Sequence, residues 1–598
     1  MKKYCLTILL VINTLILASQ EKTITVIHTN DMHSRLNGFA PESAYTPLSV
    51  NDDATIGGFT RLASIIAAEK SRVGGSVLVI DAGDFLMGTL FHTAEAETGF
   101  QLGLMKKMGY DIVALGNHEF DFGPATLAEI VSASLGSGPI PDLLLGNVVF
   151  SPSDSSDNAL EQLYKKNIIR PMLVRETGGL KVGIFSLLGK DASVVAPKAK
   201  PLIFSDQVSF ATESVRKLKS LGCDLIICVS HSGVTGGKDD NWTGEDIELA
   251  QKVSGINLII SGHTHSLMKK PMIVNGIPVI QSGEYAEYAG VIRLKGDKGN
   301  FRMENYELVP VNDKIAGDPA IDELIKKQEK LIGSRVLEPA GLTVGTPVVE
   351  SSDTIECNEK GDLENSNLGP LVADAIHYYL NSHSDGGDDV SMVSAGVIRD
   401  NIVPGIQRPA DIFRIVPLGS GNDNIPGYPL SRLYVTGREL KNVIEVLLVA
   451  KKSNPDYHCF FSGLRIEYDP DKGLCKKISR IDLLKPDGTS TVVDLSKKNK
   501  KLYSVAANSY MLQFIGIIKK KTHGLVNVVP KDITGNRVTD FTKTVVDTDA
   551  SKPGIQEGKE WLAMVEYLMN MKDLNGNGIP DLDKTYSKPV PVFKVVRR

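Results

Sequence analysis

The sequence predicts an α/β protein: a first domain built on strands covered on both faces and alternating with helices, then a smaller α+β domain. Three observations predict it. Apolar runs that read as buried strands alternate with amphipathic stretches from Thr23 to about residue 295, the pattern of sheet strands shielded on both sides. A polar cluster follows five of these runs, always at the C-terminal end, and that edge is where open α/β sheets bind ligands. From Gly341 the texture changes to short strands, Gly and Pro turns and two well-formed helical patterns.

In chain order, Thr23 to His28 is a strand ending at Asn30-Asp31-Met32-His33. Arg61 to Lys70 has helical apolar spacing. Val77 to Ile80 is a fully apolar strand that ends in Asp81-Ala82-Gly83-Asp84. Phe100 to Met108 reads as a helix and leads into the strand Asp111 to Ala114, which Gly116 terminates before Asn117-His118-Glu119-Phe120-Asp121. Leu143 to Leu145 and Lys181 to Leu187 are further strands, and Phe210 to Leu221 is a helix. Leu225 to Val229 precedes Ser230-His231, and Leu258 to Ile260 precedes Ser261-Gly262-His263-Thr264-His265. Asp318 to Leu331 is a charged amphipathic helix that marks the domain boundary, and Leu368 to Leu380 and Gly437 to Leu448 are the helices of the second half.

The chain has 598 residues, 42% hydrophobic content and a formal net charge of -5 with both signs interspersed. Such a chain can fill large cores in two or more domains. The charge excludes a basic surface for a nucleic-acid polymer and a membrane-attracting patch, but leaves room for a nucleotide in a local pocket. The N-terminus carries Lys2-Lys3, an apolar run from Leu6 to Leu17 and small residues at Ala18-Ser19. That order describes a cleaved secretory signal peptide, too short to span a bilayer. It predicts a periplasmic or extracellular protein with no stable membrane insertion. Cys223 and Cys228 read as core thiols beside a strand, and Cys459 and Cys475 either pair across a hairpin or stay free.

Asp31, His33, Asp84, Asn117, His231, His263 and His265 offer carboxylate, imidazole and amide donors. That set suits Zn, Mn, Fe or Co without a thiolate. Asp31-x-His33 and His263-x-His265 place paired donors two residues apart, on one side of an extended segment. Two ions held together need a bridging carboxylate, and Asp84, preceded by Gly83, suits that place.

These motifs are similar to the successive motifs of calcineurin-type dimetal phosphoesterases, and Ile27-His28-Thr29-Asn30-Asp31 with Gly116-Asn117-His118-Glu119-Phe120-Asp121 resembles the secreted 5′-nucleotidase / UDP-sugar hydrolase family. The resemblance implies a four-layer αββα metallophosphoesterase sandwich with a smaller α+β substrate-binding domain. It divides the chain into a signal peptide (1–19), catalytic domain (20–312), linker helix (313–340), substrate domain (341–530) and an extension (531–598). It implies one metal at Asp31, His33, Asp84 and His265, and a second at Asp84, Asn117, His231 and His263. His118 becomes the catalytic histidine, with Asp121 orienting its ring. The expected chemistry is in-line attack of metal-activated water on a nucleotide's terminal phosphorus.

In that family the second domain stacks the nucleoside base between two aromatic rings. The resemblance assigns the rings to Phe460 and Tyr510 and a phosphate or carboxylate grip to Arg399. The family's Gly-Gly-Asp-Gly after the second ring is replaced by Phe514 to Lys521, which removes an expected substrate-contacting carboxylate. Two other readings therefore stay open: a hydrolase of another ester, such as a 2′,3′-cyclic nucleotide or a thiosulfate-pathway substrate, and a silent extracellular nucleotide-binding protein. Asp573, Asn575, Asn577 and Asp581 have the alternate spacing of a calcium loop, but Lys584 stands where a full EF-hand loop has its closing Glu.

Overall fold

A computed structural model describes residues 21–597 apart from 74–75, 239–240, 358–362, 385, 424, 453, 486–487 and 513–527. The signal peptide and the Phe514 to Lys521 segment lie outside the described residues.

Two sheets form the middle of the first domain. One has seven strands in the order Asn300–Pro310, Tyr288–Asp297, Lys22–Thr29, Val77–Asp81, Ile112–Ala114, Asp142–Leu144 and Ile169–Arg170. The other has six, in the order Met272–Val274, Ile277–Ile280, Leu258–Ser261, Leu225–His231, Leu180–Leu188 and Met172–Thr177. Ile24, Val26, Leu78, Ile80 and Ile112 of the first sheet share one apolar cluster with Val182, Ile184, Ile227, Val229 and Ile260 of the second. The sheets thus bury their facing sides against each other. The helices Phe59–Val73, Phe100–Met108 and Gly123–Ser137 cover one outer face; Gln207–Ser220 and Glu245–Lys252 cover the other. The result is the four-layer αββα sandwich, and strands covered on both faces explain the runs without alternation.

Parallel pairing lines up the strand ends. Thr29 sits beside Asp81, Asp81 beside Val113, and Ser230 beside Ser261. The loops that leave these strands therefore emerge at one edge of the sandwich.

The helix Pro319–Ile332 begins where sequence predicts it. Its cap is Asp318, whose side chain accepts from Ala320 N at 2.8 Å and Ile321 N at 3.2 Å. The second domain has one four-stranded sheet (Leu430–Thr436, Leu502–Asn508, Val390–Ser394, Cys459–Ser462) and another of Ser490–Val492, Ile478–Leu484, Leu464–Tyr468 and Phe593–Val595. The last of these strands comes from the C-terminal extension, and the extension's helix Glu560–Met569 packs against Leu368–His383. The extension is woven into the second domain. Cys459 and Cys475 are both free thiols, as are Cys223, Cys228 and Cys357; Cys459 is buried in its strand.

The domains meet through buried charges. Arg35 Nη1 donates to Asp400 Oδ2 at 2.8 Å, and Arg414 donates to Asp400 at 2.9 Å and to Glu42 of the first domain at 2.7 Å. Ser43 Oγ donates to Ile406 O at 2.9 Å beside them.

Candidate active site

All seven nitrogen and oxygen donors named from sequence converge at the shared strand edge. Asp31, His33 and His265 form one group whose ligand atoms lie within 4.8 Å of one another, and Asp84, His231 and His263 form a second. His33 Nε2 stands 3.0 Å from His265 Nε2 and 4.0 Å from Asp84 Oδ2, so Asp84 lies between the groups. His231 Nε2 is 3.0 Å from Asp84 Oδ2 and 3.1 Å from Asn117 Oδ1.

The backbone is bent to achieve this. Asp31, His33, Asp84, His263 and His265 have φ of 52°, 49°, 58°, 79° and 53°. Left-handed geometry at non-glycine residues is costly and gathers at functional sites. Gly116 is required because a Cβ there would stand 2.3 Å from Asp84 Oδ1.

Neighbours orient the donors. His231 Nδ1 bonds the carbonyl of Ala82 at 2.8 Å, which leaves Nε2 for a ligand. His265 Nδ1 bonds Glu284, and His263 Nε2 lies 3.2 Å from Asp191 Oδ2. Asn30 Nδ2 donates to Asp31 Oδ2 at 2.7 Å while its own oxygen accepts from Ser282 N at 2.9 Å. Glu119 accepts from Asp84 N, Gly116 N and Leu86 N at 3.0, 2.6 and 3.0 Å. Glu119 was visible in its motif, and only its neighbours reveal that it ties two donor loops together.

The electrostatics ask for positive charge. Burial opposes a charged His231 ring, yet Asp84 and Asp31 outweigh it and push that ring up to about 10. Imidazole nitrogens close together beside buried carboxylates fit a bound divalent cation, and the donors match borderline to hard ions. His118 stands at the side, its ring 5.1 Å from that of His33. Its Nδ1 is 2.6 Å from Asp121 Oδ2, and its backbone N–H donates to Asp84 Oδ1 at 2.8 Å. Burial lowers its affinity for a proton, but Asp121 and Asp84 turn the net shift upward.

The second domain closes over this edge. Arg399 joins His33, Arg35, Met87, His118 and Tyr285 in lining one cleft. Tyr285 OH donates to Arg399 O at 3.1 Å. Tyr510 stacks on a ring, but that ring is Tyr428: their centroids are 5.3 Å apart with an interplanar angle of 10°. Burial raises the pKa of both hydroxyls, and Asp121 of the catalytic edge adds to the rise in each. Phe460 is corrected here. It is 6% exposed and packs where Gly369 has no Cβ, inside the core. Tyr428 sits in an aperiodic loop, and only its stacking on Tyr510 reveals it.

At the far end, Asp573 accepts from Gly576 N at 2.7 Å and Gly578 N at 2.9 Å, and Asp581 Oδ1 accepts from Asn575 Nδ2 at 3.1 Å. The amides of Asn575 and Asn577 also reach Glu350 Oε2 at 3.1 and 2.7 Å. Sequence spacing did not reveal Glu350.

Two stacked sheets delivering imidazoles, carboxylates and an amide to one edge define a metal-dependent phosphoesterase. Residues 24–267 match the calcineurin-like phosphoesterase family, and 346–516 match the 5′-nucleotidase C-terminal domain. The chain is 27% identical to the 5′-nucleotidase of Rattus norvegicus over 82% of each chain. Its fold is similar to a 5′-nucleotidase precursor of Thermus thermophilus (TM-score 0.68, 20% identity, 96% of this chain and 100% of that one). It is also similar to a sulfate thiohydrolase of the same organism (TM-score 0.60, 19% identity, 96% and 97%). The chain belongs to the 5′-nucleotidase family of metallophosphoesterases, and it is a hydrolase.

Proposed function

We propose that this chain is an exported 5′-nucleotidase-like enzyme that releases phosphate from nucleotides, with two divalent ions held on either side of Asp84. The observation that carries the reading is those two donor groups with Asp84 between them, with His118 beside them and Arg399 of the other domain facing the same cleft. Asp31, His33, Asp84 and His265 would hold one ion; Asp84, Asn117, His231 and His263 would hold the other. Bound divalent cations supply a Lewis acid for phosphoryl oxygens and lower the pKa of water.

The chain's own groups do the rest. Asp121 occupies His118 Nδ1, so Nε2 is the nitrogen that can donate toward the phosphoryl or leaving oxygen. Asp121 and Asp84 raise the affinity of His118 for a proton against the opposing effect of burial, which favours the proton-bearing ring as donor. Arg399 grips a phosphate. Tyr428 and Tyr510 hold the base, which enters when the rings part; a base of any type can stack there. The signal peptide read at 1–19 supports export to the periplasm or beyond. Among the described residues no helix is long and apolar enough to cross a membrane. Asp573, Asn575, Asn577 and Asp581, joined by Glu350, would form a calcium loop.

The test is phosphate release from AMP, ADP, UDP-glucose and 2′,3′-cyclic AMP with Mn²⁺ or Zn²⁺, with and without chelator. Release from AMP that chelator abolishes and metal restores is expected. Hydrolysis of the cyclic ester alone would overturn the 5′-nucleotidase reading, and metal-dependent nucleotide binding without turnover would make the chain a binding protein.

A further inference from the structure

The extension after residue 530 takes no part in the chemistry above. Its described course runs along the second domain, where Val546 N donates to Leu430 O at 2.9 Å and Leu430 N donates to Gly558 O at 2.8 Å. There follow three consecutive residues with almost no exposure: Lys559 at 0%, Glu560 at 1% and Trp561 at 0%. Two are ionisable and the third carries a polar N–H. Buried polar groups are costly without partners, so the partners locate what these residues hold.

Apart from Glu557 of the extension itself, which accepts from Lys559 Nζ at 2.5 Å and from Asn422 N at 3.1 Å, the side-chain partners are supports of the tyrosine pair. Lys559 Nζ donates to Asp423 Oδ1 at 2.8 Å, and Trp561 Nε1 donates to Pro426 O at 2.8 Å. The indole lies against Gly427 so closely that a Cβ there would stand 2.8 Å from its ring. Asp423, Pro426 and Gly427 belong to the loop that presents Tyr428. Glu560 Oε1 accepts from Asn508 Nδ2 at 3.0 Å, and Asn508 lies two residues before Tyr510. Asn508 Oδ1 in turn accepts from Met511 N at 2.8 Å, so one amide links Glu560 to the turn that carries the second ring. The two supports meet where Ser509 N donates to Pro429 O at 2.9 Å. Behind them Trp561 packs edge-on against Phe413 at 5.6 Å, and Phe413 meets His92 of the first domain at 5.6 Å.

We propose that Lys559, Glu560 and Trp561 are positioning residues for the aromatic clamp, so that the C-terminal extension sets the spacing and tilt of Tyr428 and Tyr510 and thereby the preference for a nucleotide over a base-free phosphoester. The proposal rests on the nucleotide reading above. Its physical basis is preorganisation. Stacking rewards rings that stay parallel when they part to admit the base, and rings on loose loops must be ordered when the base arrives. The Tyr428 loop contains Gly419, Gly421 and Gly427 and has little stiffness of its own. Bonds from the extension replace that missing stiffness.

The test compares AMP, ribose 5-phosphate and p-nitrophenyl phosphate on the full metal-loaded chain. Wild type should show higher kcat/KM for AMP than for ribose 5-phosphate. Glu560→Leu should raise KM for AMP about tenfold, leave its kcat within about twofold, and leave both constants for the two base-free esters unchanged. Glu560→Gln keeps an oxygen that accepts from Asn508 and should retain the wild-type KM. Trp561→Phe keeps a ring but loses the bond to Pro426; it should raise KM for AMP a few-fold, and it serves if Glu560→Leu does not fold. An unchanged KM for AMP in folded Glu560→Leu or Trp561→Phe overturns the proposal. So does a uniform loss of kcat on all three esters, which is the signature of a merely structural role. A wild type that hydrolyses AMP no better than ribose 5-phosphate removes the clamp, and the proposal with it. A wild type without any nucleotide hydrolysis removes the nucleotide reading itself, a distinct failure.

Discussion

Asp400 accepts a hydrogen bond from Arg35 across the domain boundary at 2.8 Å, and its neighbour Arg399 faces the cleft that His33 and His118 line. The pair is nearly dry, with side-chain exposures of 1% and 14%, and Arg414 makes a second bond to the same carboxylate oxygen. The Arg35 guanidinium also lies 4.2 Å from the Tyr285 ring centre and 4.7 Å from that of Phe39. Arg399 is therefore placed by its neighbour's ion pairs. Removing one partner of such a buried pair costs about 3–5 kcal/mol because the other charges stay buried. Asp400→Asn should lower the melting temperature and raise KM for AMP about tenfold, with p-nitrophenyl phosphate turnover retained. Steady-state kinetics on both substrates check it, and equal losses on both would speak against a domain latch.

Arg399 itself should discriminate between guanidinium and ammonium. A planar fork can hold two phosphate oxygens at once, which a point charge cannot. Arg399→Ala should raise KM for AMP about tenfold or more, and Arg399→Lys should recover only part of that loss. Restoration of wild-type KM by lysine would show that only charge matters there.

His118 and His231 should separate chemistry from metal binding. His118→Asn should lower kcat by about two to four orders of magnitude, the usual worth of a positioned proton donor, while bound metal per chain stays at the wild-type level. His231→Ala should lose both metal and activity. Metal analysis beside kinetics decides the matter, and loss of metal from His118→Asn would recast His118 as a ligand.

His92 should make the domain contact sensitive to acid. It is 2% exposed and lies between Phe122 and Phe413, with ring centroids 5.8 and 5.6 Å away. Burial pushes its ring down to about 3 from an ordinary value of 6.5. The folded form thus holds a neutral ring, while the unfolded chain takes up a proton below pH 6.5. Between about pH 3 and 6.5 the unfolded state binds more protons, so stability falls as pH falls through that window. His92→Phe should gain in melting temperature relative to wild type at about pH 5 and not at about pH 7.5. An identical difference at both values would be incompatible with a buried neutral ring.

The catalytic edge was readable because local rules govern it. A strand that is apolar throughout must be covered on both faces, and a glycine or a polar cluster marks its end. Asp31, Asp84, Asn117, His231 and His263 all follow such strands, so knowing the strands meant knowing the edge. Phe460 and Tyr428 show where this runs out. Both are aromatic residues near a turn, and which one is core depends on Gly369, about 90 positions from Phe460, leaving room for a ring. Cys459 and Cys475 stayed ambiguous for a similar reason, since thiol pairing depends on separation in space.

By itself, then, the sequence determined the strands covered on both faces, the shared edge and the identity of the donors, because period, punctuation and residue chemistry act over a few neighbouring positions; the two-sheet sandwich came from the family resemblance. Tertiary structure alone decided that Arg35 would meet Asp400, 365 positions away, that Glu350 would join the calcium-type loop, and that Glu560 would brace Asn508. Those pairings answer to burial: a charge far from its partner in the chain looks solvated until the fold removes the water around it.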